Sequence, residues 1–114
     1  MRIQTEFVQV STATDTETNA KKIAKKLLEK RIASCVEMLG PVKTGYWWKG
    51  KIEYSTEWLC LIKGRARDYL EIESIVKIKH PYEVPEIIAI PILSGNPDYL
   101  QWIRAETKRP SGAE

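Results

Sequence analysis

The sequence has little cysteine and histidine and no long apolar run. Its 114 residues include two cysteines, Cys35 and Cys60, and a single histidine, His80. Two cysteines cannot form a disulfide framework, and by themselves they do not make a zinc site. No stretch approaches about 18 uninterrupted apolar residues, so we expect no membrane-spanning segment and no membrane partner.

The chain also lacks a strong excess of charge. Its 18 Lys and Arg residues against 15 Asp and Glu leave a formal net charge of +3, too small to predict nucleic acid as a partner. The segment 1–10 is interrupted by polar side chains and has no apolar centre of the kind that signal peptides carry. We therefore expect a cytoplasmic protein with reduced thiols. The length suits a single domain, which we place at 1–106, with a polar tail, 107–114, that is predicted to fray.

The periodicity of the apolar residues predicts the order β-α-β-β-α-β followed by a C-terminal helix. Thr14-Asp15-Thr16-Glu17 has the spacing of a capping box, after which apolar residues recur at helical spacing. Asn96-Pro97 is typical of a helix start. The predicted elements are a strand from Ile3 to about Ser11, a helix over 15–31, a strand over 33–39 that resumes at 42–47 after Gly40-Pro41, a return strand over 51–63, a helix over 66–79, a strand over 86–92 and the final helix.

This order predicts an α+β fold of the ferredoxin-like type, a split βαβ arrangement. Its antiparallel four-stranded sheet carries two helices on one face, and Pro91 indicates that the fourth strand lies at a sheet edge or ends there. The other face needs cover, either from the C-terminal helix or from other subunits.

The second and third strands form an unusually long hairpin that turns at Lys49-Gly50. The run 58–62 of the return strand is continuously apolar, so we expect both of its faces to be covered. Near the turn, Tyr46, Trp47 and Trp48 are adjacent. Such a cluster belongs in a core, a ligand site or a subunit interface, and we favour the interface over a platform for stacking bases.

Four patterns, in order along the chain, resemble the CutA family. They are Ala33-Ser34-Cys35-Val36, then Tyr46-Trp47-Trp48-Lys49-Gly50-Lys51 at the hairpin tip, then His80-Pro81-Tyr82-Glu83-Val84-Pro85-Glu86-Ile87, and last Gly95-Asn96-Pro97-Asp98-Tyr99-Leu100-Gln101-Trp102. The third pattern is the most specific, and the resemblance extends from about Phe7 to Arg104.

The resemblance implies a homotrimer associated with tolerance to divalent metal ions and with copper(II) binding. Long hairpins would pair across subunits, with Tyr46, Trp47 and Trp48 at the trimer interface. The architecture is similar to that of PII-like signalling proteins, and no enzymatic activity is attached to the family. In this sequence we find neither a nucleophile paired with a base nor a phosphate-binding loop, so we expect no enzyme.

The family's proposed copper ligands fall on His80 and Glu86 in this sequence. Imidazole and carboxylate are suitable donors for a divalent cation, although His80 can equally cap the end of the second helix. Some bacterial relatives add a cysteine at the end of strand one and a residue just before the histidine, where this chain has Ser11 and Lys79. Serine is a poor soft ligand and an ammonium group repels cations, so we expect weak metal binding.

The remaining site predictions concern clefts between subunits. We expect Tyr82, Cys35 and Lys79 to line these clefts beside His80 and Glu86. The alternative function is a PII-like sensor that binds a small anion there, with Lys79, Lys63 or Arg65 as counter-charges.

The two cysteines are predicted to lie too far apart for a disulfide. If the hairpin turns at Lys49-Gly50, Cys60 opposes Leu39 and lies ~13 Å from Cys35, at ~3.3 Å per residue, beyond the ~7 Å limit for a disulfide. Both cysteines are therefore predicted to be buried free thiols.

Overall fold

The computed structural model describes residues 5–107, which form one four-stranded sheet with helices on both of its faces. The predicted strand residue Ile3 and the tail beyond Thr107 lie outside the described residues. In chain order the elements are β1 (Phe7–Thr14), α1 (Glu17–Glu29), β2 (Cys35–Trp48), β3 (Lys51–Arg65), a 3-10 turn (Ala66–Asp68), α2 (Tyr69–Lys79), β4 (Ile88–Pro91) and α3 (Pro97–Glu106).

The strand order in the sheet is β2-β3-β1-β4, and every neighbouring pair is antiparallel. This arrangement confirms the predicted ferredoxin-like topology, with both helical connections crossing back to the sheet. β4 lies at one edge of the sheet. Pro91 has no backbone N–H to donate, and an edge strand tolerates this because it is paired on one side only.

The sheet face that packs against α1 and α2 holds the hydrophobic core. Val10 and Ile62 face each other across β1 and β3, and both are completely buried. Ile23 and Leu27 of α1 and Ile72 of α2 complete the same cluster. Gly64 is required in this layer, because a Cβ there would lie 2.5 Å from the carbonyl oxygen of Ile32.

The opposite face, called here the open face, has only partial cover. Its residues alternate with the core residues along β1, β3 and β4, and it includes Gln9, Ser11, Leu59, Leu61, Ile88 and Ile90. α3 covers one end of it: the guanidinium of Arg104 lies over the ring of Phe7, 5.3 Å from its centroid, and bonds Glu6 through two nitrogens at 2.7 Å each. Elsewhere on this face no helix of residues 5–107 provides cover, and Ile88 and Ile90 are exposed.

The hairpin turns where the sequence predicted, at Lys49 and Gly50, which both have positive φ, 51° and 81°. That geometry is the usual one for a tight hairpin connection. An irregularity between Leu39 and Val42 shifts the register by one residue, so that Cys60 lies opposite Met38 rather than Leu39. Of the two predicted possibilities at Gly40-Pro41, a bend or a bulge, the structure has the bulge, within one continuous strand.

Three predicted boundaries are wrong. β1 continues past Ser11 to Thr14, because its ladder with β3 runs on to the pair Thr14–Trp58, whereas its pairing with β4 stops at Ser11. Thr14 is consequently a buried strand residue, and the cap of α1 is Thr16, whose hydroxyl accepts from the Asn19 N–H at 3.0 Å. Fraying does not begin at Thr107, which is completely buried and donates its hydroxyl to the Ile103 carbonyl at 2.7 Å.

Smaller differences occur elsewhere. α1 is shorter than the predicted 15–31, and β4 is shorter than 86–92. In the described part of the chain, no helix has the length and apolar character needed to span a membrane.

Candidate functional site

A cleft of about 590 Å³ lies between the hairpin and the loop that follows α2. The hairpin contributes aromatic side chains, and the loop contributes the motif that the sequence singled out. Its lining residues are Ala13, Thr44, Tyr46, Trp47, Trp48, Glu57, Pro81, Tyr82, Glu83, Val84 and Glu86. The sequence-predicted interface residues and two of the predicted cleft residues, Tyr82 and Glu86, are therefore brought together in a single chain.

Tyr82 and Glu57 join the two walls of the cleft. The Tyr82 hydroxyl donates to Glu57 Oε2 at 2.8 Å. Burial, together with this hydrogen bond to a carboxylate, raises the pKa of Tyr82 far above its usual value, so the phenol stays protonated. The contact ties the loop to β3 and keeps the cleft's shape.

His80 lies beneath the cleft rather than in its lining. Its side chain is buried, and Nε2 is 2.7 Å from the carbonyl oxygen of Ala13. Nδ1 accepts a hydrogen bond from the Tyr82 backbone N–H at 3.1 Å. A neutral imidazole protonated on Nε2 satisfies both contacts, and in that state neither nitrogen has a free lone pair for a metal.

The other members of the predicted metal site do not complete a coordination shell within one chain. Glu86 is exposed at the cleft, Lys79 is exposed at the end of α2, and Ser11 lies in the middle of β1. Within residues 5–107 no group of three or more His, Cys, Asp or Glu side chains is placed to hold a metal ion. The described residues of a single chain therefore do not assemble three such donors at one point.

Cys35 lies away from the cleft, at the far end of the hairpin. It pairs with Lys63 on β3 and is half-buried, whereas Cys60 is completely buried in the core. Both thiols are free, as predicted, but only Cys60 is enclosed. Burial raises the pKa of the Cys60 thiol to about 11, so it is neutral at physiological pH.

The three candidate counter-charges for an anion do not line the cleft either. Lys63 forms an ion pair with Glu37 on the neighbouring strand. Arg65 lies under α3, where it donates to the Arg104 carbonyl at 3.3 Å. Lys79 is exposed on α2. Among residues 5–107, no lysine or arginine lines the cleft.

Glu57 is the site residue that sequence reasoning missed. It stands where β3 changes from polar alternation to the apolar run that starts at Trp58. A carboxylate next to a buried apolar run is costly to bury unless it has a hydrogen-bond partner. The position of Glu57 directly before Trp58 is therefore the sequence feature that indicates such a partner. The partner, Tyr82, is 25 residues further along the chain, so only the fold brings them together.

Comparisons with known proteins give a consistent result. The sequence profile of the family described as CutA1 divalent ion tolerance protein matches residues 8–106. The divalent-cation tolerance protein CutA of Archaeoglobus fulgidus is 45% identical over 84 residues, which are 74% of this chain and 81% of that protein. Protein CutA of Mus musculus is 42% identical over 94 residues, 82% of this chain, and the chain spans 53% of that longer protein.

A solved structure agrees at the level of the fold. The periplasmic divalent cation tolerance protein CutA from Archaeoglobus fulgidus superimposes with a TM-score of 0.87 at 37% identity, covering 90% of this chain and 99% of that one. The description of the family and the names of the Archaeoglobus fulgidus protein refer to divalent-cation tolerance, and none of the printed names refers to a reaction. With a profile match over nearly all of the described residues and relatives of this similarity, the chain belongs to the CutA1 divalent ion tolerance family.

Proposed function

We propose that this protein is a cytoplasmic, homotrimeric binding protein of the CutA type, without enzymatic activity, whose role is connected with divalent cations. The observation that carries this proposal is the apolar surface that a single chain leaves exposed. Ile88 and Ile90 on the open face are 52% and 50% exposed, and Trp47 at the hairpin is 73% exposed. Large apolar side chains exposed to this degree are typical of interfaces between subunits.

The two halves of β3 support self-association in different ways. In its core half, Cys60 and Ile62 are completely buried, whereas Leu59 and Leu61 on the open face are only half-buried. Both faces of the apolar run 58–62 were predicted to be covered. Within one chain, only the face toward α1 and α2 is completely covered. In its hairpin half, Ile52 is exposed, like Trp47 opposite it. A neighbouring copy would cover both areas.

Light scattering coupled to size exclusion tests the assembly. We expect a mass three times the 13.1 kDa of the chain. Trp47→Ala combined with Ile52→Ala should lower the mass, because both side chains lie exposed on paired hairpin positions. Leu70→Ala on α2, which removes an equally exposed apolar side chain elsewhere, is the matched control. A mass of one chain for the unmodified protein contradicts the proposal.

For the metal, we propose weak binding of copper(II) or another divalent cation at clefts between subunits, through Glu86 and His80. Glu86 is exposed beside the carboxylates of Glu57 and Glu83. His80 can contribute only after one of its two hydrogen bonds is broken, which is the physical reason to expect low affinity. Copper(II) titration should show binding that Glu86→Gln and His80→Ala each weaken. Glu53→Gln, the same charge change outside the cleft, is the control, and equal affinity in all variants contradicts the assignment.

A second candidate function, sensing of a small molecule as in PII-like proteins, is favoured by the cleft itself. Its volume of about 590 Å³ lies within the range of small-molecule sites. Thermal unfolding in the presence of a panel of metabolites tests it, since a ligand that binds only the folded protein raises the melting temperature. No stabilisation by any member of a panel that includes both anions and cations would argue against sensing.

A further inference from the structure

The helix α1 carries the whole net charge of the chain. Together with its C-cap residue, α1 contains five lysines against two glutamates, and the rest of the chain has 13 basic and 13 acidic residues. The formal net charge of +3 is therefore concentrated on this one segment. Four of the five side chains are exposed and that of Lys26 is half-buried; the set is Lys21, Lys22, Lys25, Lys26 and Lys30.

The spacing of these lysines places like charges beside one another. Lys21 and Lys25 are four residues apart, and Lys22, Lys26 and Lys30 follow one another at the same interval. Residues four apart are neighbours on a helix surface, and like charges at that spacing destabilise an isolated helix. Packing does not require this cost, because the buried face of α1 is formed by other residues. A local cost without a structural reason is typical of a surface retained for binding.

The lysines of α1 have no acidic partner in the described part of the chain. Within residues 5–107, none of the five forms an ion pair, whereas basic residues of β3, α2 and α3 do, namely Lys63, Lys77 and Arg104. The two glutamates of α1 lie at the ends of its lysine face, Glu17 one turn before Lys21 and Glu29 one turn after Lys25. The face between them is complementary to an acidic surface.

This face lies on the side of the sheet that the proposed trimer leaves uncovered. α1 packs on the core face, whereas the open face and the hairpin supply the surface that neighbouring copies would bury. The apolar face of α1 is itself buried in the core, so it cannot enter a bilayer as the amphipathic helices that bind membranes do.

One exposed apolar side chain adjoins the lysines. Leu28 is 41% exposed and stands three positions after Lys25, on the same side of the helix. Protein interfaces combine apolar contacts of this kind with charged and polar surroundings. Single-stranded nucleic acid is instead bound by aromatic side chains on which bases stack, and α1 contains no aromatic residue.

We propose that the outer face of α1 is a docking surface for an acidic segment of a partner protein, with carboxylates facing Lys21 and Lys25 and an apolar side chain on Leu28. The acidic groups relieve the repulsion between neighbouring lysines, and the apolar contact removes Leu28 from water. This interaction depends neither on a metal, nor on the cleft, nor on the number of subunits.

Fluorescence polarisation with the unmodified chain tests the proposal. The probe is a fluorescent oligoglutamate peptide with a central leucine, and the same peptide with glutamine in place of every glutamate is the neutral control. We expect saturable binding of the acidic peptide that weakens as salt is added, because exposed charges are screened. The glutamine peptide should show no saturable binding.

Variants locate the surface. Lys21→Gln combined with Lys25→Gln should weaken binding of the acidic peptide about tenfold, because two exposed charge contacts are lost. Lys43→Gln combined with Lys51→Gln removes the same charge from exposed positions of the hairpin and should change affinity less than about twofold. Leu28→Ala should weaken binding about threefold through the lost apolar contact.

Thermal unfolding shows whether weaker binding has a structural cause. Glutamine is a good helix former, and removal of two lysines reduces like-charge repulsion on α1. The melting temperature of the double variant of α1 should therefore not fall.

Four results would overturn the inference. The first two are absence of saturable binding and equal losses in the α1 and hairpin variants. The third is full affinity in Leu28→Ala, which would leave no reason to prefer a protein segment over another polyanion. The fourth is tighter binding of single-stranded DNA of equal charge, or of phosphatidylserine vesicles, than of the acidic peptide. Each of these leaves the proposed trimer and its cation site standing.

Discussion

The two faces of the sheet differ in how completely this chain covers them. Toward α1 and α2, Val10, Cys60 and Ile62 are wholly buried. On the open face, Leu59 and Leu61 are only half-buried, and α3 covers one end alone. Neighbouring residues of one apolar run therefore have different surroundings according to the face they lie on, because side chains alternate along a strand.

The contrast separates residues that stabilise the single chain from residues that are available for other contacts. The covered face accounts for folding, and its residues pack in one cluster. The open face and the hairpin contribute surface whose burial requires a partner or a ligand. Substitutions on the two sides should thus affect different measurements.

The largest effect is expected in the core. Ile62→Ala leaves a cavity among completely buried neighbours and should lower the free energy of unfolding by about 2–5 kcal/mol. Leu61→Ala, on the adjacent open-face position, should cost less, because its side chain is already partly hydrated. Urea denaturation measures both. Equal losses would mean that the open face is as well covered in solution as the core.

A backbone contact offers a second test of the same contrast. Gly64→Ala places a methyl group 2.5 Å from the Ile32 carbonyl oxygen and should cost about 1–3 kcal/mol in urea denaturation. Gly45→Ala on the hairpin meets only the Tyr54 ring, at 3.0 Å, and that exposed side chain can move aside. We expect a near-neutral result there, and a large loss would show that the hairpin is held more tightly than its exposure indicates.

The link across the cleft should have an intermediate effect. Tyr82→Phe removes the donor to Glu57 and should lower the free energy of unfolding by about 1–2 kcal/mol, since a buried carboxylate loses its partner. Tyr54→Phe, at an exposed tyrosine of the hairpin, is the control and should have no measurable effect. Thermal or urea unfolding distinguishes them. Identical stability of Tyr82→Phe and the unmodified protein would indicate that the cleft is not held by this bond.

The smallest effect is expected where α3 joins the open face. The hydrogen bonds from Arg104 hold the pKa of Glu6 below its usual value of 4.5. A lowered pKa in the folded state means that the stabilisation is present above pH 4.5 and disappears as the pH falls through the lowered value. Glu6→Gln should therefore melt slightly below the unmodified protein near neutral pH and match it in strong acid. A difference that persists in acid would rule out the ion pair as its cause.

Much of this fold was predictable, and the failures are local. The element order, the antiparallel sheet and the turn at Lys49-Gly50 followed from periodicity and turn chemistry. The end of β1 did not, because Thr14 looks like a helix cap in isolation and becomes a strand residue by pairing with Trp58. Local signals carry no information about how far a neighbouring strand extends a ladder.

The candidate site, like the fold, was predictable in part. The aromatic cluster and the motif 80–86 were recognisable from residue types alone, and they meet in the cleft. Cys35 and Lys79 lie outside this cleft of the single chain, and their predicted place in clefts between subunits stays a prediction. Glu57 also lines the cleft, although it was not predicted to do so. A single carboxylate has no sequence pattern that reveals a partner on a distant loop, here Tyr82.

By itself, the sequence determined which segments form strands and helices, which of their residues are apolar, and which chemical groups are available for binding. Those properties depend on neighbours within a few positions along the chain. Only the tertiary structure decided that both nitrogens of His80 are hydrogen-bonded, that the three glutamates stand beside aromatic rings, and that α1 and α2 cover one face of the sheet. These outcomes depend on contacts between residues far apart in the chain, which are set by packing and strand register.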